Sequence, residues 1–137
     1  MEASFCFIAA KNNLDKARRY IKIGEGTQWV AEHISSGLIW AMEGWVIARD
    51  YKISQGHGWS DTLSDFYKYA PEDLCSMARH CNSEATVLDN EFQGAYNYEE
   101  GLPPMPMDEW KARICVCLEE TEDVVNQLIN DAQAPAP

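Results

Sequence analysis

Gly56-His57-Gly58-Trp59 is the stretch of this 137-residue chain whose side chains best suit a ligand site. His57 can exchange a proton near neutral pH, the two glycines expose the backbone around it, and Trp59 offers a flat face on which a planar ligand can stack. The same residues also suit a turn in which the histidine bonds nearby backbone and fixes a helix junction. Metal chemistry has no support. Di-iron bundles need Glu-x-x-His on each of two helices, whereas Val30, Ser54 and Met77 stand three residues before His33, His57 and His80. Cys115 and Cys117, two apart on a helix, point roughly 200° away from one another and cannot share an ion, so they read as structural thiols. Cys81 follows Arg79 and His80, cations that could activate a thiolate, but it falls on an apolar stripe and reads as a packed cysteine. Phosphate-loop, dinucleotide and nucleophile-elbow motifs do not occur. No catalytic residue, metal site or cofactor is expected.

The elements that must position His57 are helical. Phe7, Ala10, Leu14, Ala17 and Ile21 recur at helical spacing from Phe5 to Ile21, and Gly24-Glu25-Gly26 ends that first helix. Thr27 is placed to cap the second. There Val30, Ile34, Gly37, Leu38, Ala41, Trp45 and Ala48 form one face, while Ile39, Trp40, Val46 and Ile47 widen it. So broad an apolar surface implies either the central position in a bundle or a self-association interface. Gly37, Ala41 and Gly44 would let another helix come close. Glu43, inside this stretch, either lies on an exposed seam or pairs with Arg18, Arg19 or Arg113.

Ser54 to Gly58 reads as a turn, and Ser60 or Asp61 can cap a short third helix carrying Leu63, Phe66 and Tyr67. Pro71 suits the first position of a fourth helix, which carries Leu74, Met77 or Ala78, Cys81, Ala85 and Leu88. The glycines and prolines from Asp89 to Met107 predict a long loop. Asp108 can cap the last helix, where Trp110, Ile114, Cys117, Leu118, Thr121, Val125 and Leu128 repeat at helical spacing. No β alternation appears, so the class is all-α. The reading places one helical domain over 1–130 and a flexible tail over 131–137.

Composition narrows the partners. With 11 Lys+Arg against 22 Asp+Glu and a net charge of −11, the chain lacks the broad basic surface that long nucleic acid requires. No apolar run approaches a membrane span. The amino terminus begins with an acid, unlike a secretory signal. Five cysteines without framework spacing fit reduced thiols, and the expected location is the cytoplasm.

The order of these pieces resembles a HEPN domain over roughly residues 5 to 129. The matching parts are NNLDKARRYI, the small-residue-rich second helix ending in AMEGWVIARDYKI, the GHGWSDTL turn, the ARHCNSEATVLDNEF segment, an aromatic loop and a closing amphipathic helix. The resemblance implies an up-and-down four-helix bundle with an additional short helix, a homodimer, and a class proposed to bind nucleotides. Many such proteins partner a minimal nucleotidyltransferase in toxin-antitoxin pairs. His57 matches the family's Gly-His turn, and Leu88-Asp89 the start of its Leu-Asp-aromatic loop. Ribonuclease members carry Arg, four to six residues, then His, and no arginine stands at that spacing before His33, His57 or His80. Ala95 also replaces a loop arginine before Tyr96, and Glu43 stands where relatives often have lysine. The resulting expectation is a non-catalytic domain that holds a nucleotide-like ligand through His57, Trp59, Arg49 and Tyr96. The alternatives are a protein-interaction module partnering a nucleotidyltransferase and, ranked last, a divergent RNase pairing Arg49 with His57.

Overall fold

The computed structural model describes residues 2–51, 59–94 and 105–134. Among them the chain is all-α: α1 Ala3–Ile23, α2 Val30–Ala48, α3 Trp59–Tyr69, α4 Glu72–Gly94 and α5 Met107–Gln133. No helix among the described residues is long and apolar enough to cross a membrane.

Helix α2 occupies the centre, packing against α1, α3, α4 and α5. Val30, Ile34, Leu38, Ala41 and Trp45 are buried, as are Ile39 and Val46 from the widened face. The broad apolar surface is thus covered largely within the chain. Its closest neighbour is α1. A Cβ added to Gly44 would come within 2.6 Å of Phe7 Cε1, and one added to Gly37 within 2.9 Å of Leu14 Cδ2 and 3.0 Å of the Ala10 carbonyl oxygen. Glycine at these two positions lets the helix backbones approach.

The predicted stripes of the outer helices face this core. Phe7, Ala10, Leu14 and Ala17 of α1 are buried, with Ile21 partly so; Leu74, Ala78, Cys81, Ala85 and Leu88 of α4 are buried; and so are Trp110, Ile114, Cys117, Leu118, Thr121, Val125 and Leu128 of α5. Trp110 donates its indole N–H to the Leu88 carbonyl at 2.7 Å, so the polar atom of a buried ring is satisfied.

Several boundaries differ from the sequence reading. Gly24 does close α1, at φ 78° with its N–H bonded to the Tyr20 carbonyl. Thr27, however, does not cap α2, because a single 3₁₀ turn, Thr27–Trp29, comes first. Pro71 lies just before α4, where its carbonyl accepts from Cys75, and α5 starts at Met107 rather than after Asp108. The loop expected from Asp89 begins later, since α4 runs on to Gly94. Phe92 extends the Ala85-Leu88 stripe, is 4% exposed, and packs on Trp110 at 5.1 Å between ring centroids; that burial outweighs the weak helix propensity of Asp89 and Asn90. Likewise α5 passes the expected domain edge at 130 and ends at Gln133.

Candidate functional site

Of the expected ligand residues, Arg49 is described, while His57 and Tyr96 lie outside the described residues, as does the Trp59 side chain; the Trp59 backbone opens α3. The described residues nearest the Gly-His-Gly stretch are those at the end of α2, immediately before the 52–58 segment.

Helix α2 stops at Ala48. Arg49 donates its backbone N–H to the Trp45 carbonyl at 3.1 Å, and Asp50 takes a left-handed φ of 57°, a conformation that aspartate tolerates better than most residues. That turn brings Tyr51 beside Trp45, at 5.7 Å between ring centroids. Tyr51 also stacks on Tyr69, the last residue of α3, at 4.4 Å and an interplanar angle of 2°. Phe66 meets Trp45 edge-on at 5.5 Å, anchoring α3 to α2. These contacts form an aromatic platform, and Tyr51 remains 38% exposed on it.

Electrostatically the platform is nearly balanced. The Arg49 side chain is 14% exposed and its Nη2 sits 3.0 Å from Asp131 Oδ2. Nη2 also bonds the Asp131 carbonyl, and the Trp45 Nε1 donates to the same carboxylate oxygen at 2.7 Å. Arg49 Nε is buried without a hydrogen-bond partner. An incoming phosphate would have to displace Asp131 to use this guanidinium. The nearer available cation is Lys68, whose Nζ lies 5.0 Å from the Tyr69 ring centroid. Tyr51, Tyr69 and Lys68 were not among the residues expected from the sequence. Tyr51 and Tyr69 flank the segment holding His57, but a spacing of 18 positions carries no signal of stacking.

The remaining candidates resolve as packing. Cys81 and Cys117 are buried beside the fully buried Thr121 hydroxyl. Burial raises both thiols, Cys117 to about 12, so neither is a thiolate nucleophile near neutral pH. Arg79 does not serve Cys81: its guanidinium lies over the Tyr67 ring at 4.6 Å and reaches Glu72 at 3.3 Å. Cys115 is exposed while Cys117 is buried, as their helical spacing requires. Glu43 is half-buried, whereas Arg18 bonds Asp15 and Glu122 and Arg113 bonds Glu84. His33 is held by Asn13, whose Nδ2 donates to the Ala9 carbonyl and so turns Oδ1 toward His33 Nδ1 at 3.0 Å. That network makes Nδ1 the protonated nitrogen. Among the described residues no group of three or more His, Cys, Asp or Glu side chains is placed to hold a metal ion.

Comparison with protein-family models, curated proteins and solved structures finds no match.

Proposed function

We propose that the chain is a non-catalytic, HEPN-like binding domain: an up-and-down bundle of α1, α2, α4 and α5 with α3 as an additional short helix, homodimeric, holding a nucleotide-like ligand beside the Gly56-His57-Gly58 turn. The observation that carries this reading is the Tyr51–Tyr69 stack, with ring centroids 4.4 Å apart, directly next to the segment that bears His57. Tyr51, 38% exposed beside the Tyr69 ring, gives a base aromatic surface to pack against, and Lys68, whose Nζ lies over the Tyr69 ring 5.0 Å from its centroid, adds a cation. Because Asp131 occupies Arg49, the ligand contact falls to the aromatic rings and His57 more than to a guanidinium–phosphate pair.

Calorimetric titration with AMP and ATP tests the reading, using wild type, His57→Ala and Tyr51→Ala. Saturable binding that either substitution weakens by about tenfold supports it. Absence of binding by the wild type at about 1 mM ligand ends it. Sedimentation velocity over a range of protein concentrations tests the homodimer separately.

A second reading is an interaction module that holds a nucleotidyltransferase partner. Phe5 and Ile8, 56% and 61% exposed on one side of α1, favour it. Co-purification with such a partner, abolished by Ile8→Glu, would place this role above ligand binding. The RNase reading is weakest, because Arg49 would have to leave Asp131 to act with His57; intact RNA after prolonged incubation would dismiss it.

A further inference from the structure

We infer that the groove between α4 and α5 is a docking site for a basic amphipathic helix of a partner protein. Two cavities lie along these helices, of about 490 Å³ and 330 Å³, and both are lined by His80 and Glu120. The His80–Glu120 contact joins α4 to α5 between them, so they are two successive depressions along one seam. On α5 the two together extend from Ala112 to Gln127, a distance of about 22 Å at the rise of an α-helix. This is the length of a four-turn helix.

The floor is apolar and the rim is acidic. Met77 from α4 and Val116 and Val124 from α5 supply apolar surface, and Val116 is 53% exposed on a helix face otherwise polar. Glu84, Glu120 and Asp123 outnumber Arg113, the one lysine or arginine among the lining residues, and Arg113 is already bonded to Glu84 at 2.7 Å. Glu120 is shared with His80 at 3.0 Å. A helix carrying aliphatic residues at i, i+3 or i+4, and i+7 would fill the floor. Lysine or arginine at its edges would meet the rim carboxylates, and an acidic helix would be repelled. A second copy of this chain, at net charge −11, is a poor electrostatic match.

The experiment uses a fluorescein-labelled synthetic peptide of about four helical turns, with leucines on one face and lysines elsewhere, and follows fluorescence anisotropy against the full chain. The expected result is saturable binding that weakens with salt. Glu120→Lys combined with Asp123→Lys should weaken it at least fivefold. Val116→Asp should weaken it about tenfold although it adds negative charge, because it breaks the apolar floor. Glu25→Lys with Glu32→Lys makes the same change in net charge away from the groove and should leave affinity unchanged. Far-ultraviolet circular dichroism checks that each variant remains folded. The inference is overturned by no binding by the wild type, equal loss in the Glu25/Glu32 control, unchanged or tighter binding by Val116→Asp, or equal binding of the peptide with glutamates replacing its lysines. A concentration-dependent dimer dissolved by Val116→Asp would instead assign the groove to a second copy and overturn it too.

Discussion

Trp45 and Asp131, 86 residues apart, are joined by an indole N–H donated to a carboxylate at 2.7 Å, and Arg49 closes on the same oxygen. The end of α5 is thereby fastened to the end of α2. Asp131→Ala should lower stability by about 1–2 kcal/mol, as it strips partners from a mostly buried guanidinium and a buried indole. The lower part of the usual range applies because Asp131 is 37% exposed and water screens the pair. Urea unfolding measures the loss. Arg49→Met in the Asp131→Ala background should restore part of it, since an uncompensated charge is then gone; purely additive effects would show that the three groups do not act together.

Gly37→Ala and Gly44→Ala test the α1–α2 approach. Alanine gains roughly 1 kcal/mol over glycine in a helix interior. Yet the new methyl at 37 would press on the Ala10 backbone carbonyl, and that at 44 on the Phe7 ring and the Cys6 Cβ, at 2.6 to 3.0 Å. Net destabilisation of about 1–3 kcal/mol is expected at each. A rise in the urea midpoint for either variant would mean that the helices separate at little cost.

His33 should confer a pH dependence. Its pKa is lowered from the ordinary 6.5, first by burial and then by the Lys16 charge. The folded state therefore binds this proton less readily than the unfolded state. Above about pH 6.5 both states are neutral at this residue and it contributes nothing; stability is lost as pH falls below that value and through the lower folded pKa. His33→Gln keeps a polar partner for Asn13 and removes the titration. The stability of wild type relative to this variant should fall between pH 7 and pH 5, and parallel curves would refute the assignment.

The thiols should divide sharply. Cys115 is exposed, while Cys6, Cys75, Cys81 and Cys117 are buried, with Cys6 raised to about 11 and Cys117 to about 12 by burial. A chromogenic disulfide reagent at pH 8 should titrate one thiol rapidly in the native chain and all five in denaturant. Rapid native labelling of Cys81 would show that the α4–α5 packing opens readily.

What the sequence made legible was local. Burial of every predicted α5 position from Trp110 to Leu128 follows from periodicity, because a stripe needs no knowledge of what covers it. The end of α4 was not legible in this way: Asp89, Asn90 and the following Gly94 suggest a turn, and only the contact of Phe92 with Trp110 carries the helix onward. Asp131 begins a stretch that reads as a loose polar tail, yet its role depends on a tryptophan far along the chain. The Tyr51–Tyr69 platform likewise arises from a left-handed turn at Asp50, a residue with no glycine-like signature.

The most extensive helix packing joins α1 and α2, which are neighbours in sequence separated only by residues 24–29. Closing so short a connection costs little chain entropy, whereas the Trp45–Asp131 bond closes a far longer loop. An α1–α2 hairpin would thus template the arrival of α5, whose last turn locks afterwards. In that order, loss of Asp131 should accelerate unfolding and leave the refolding rate almost untouched, so that stopped-flow unfolding and refolding in urea would assign the carboxylate to how long the chain stays folded rather than how quickly it folds.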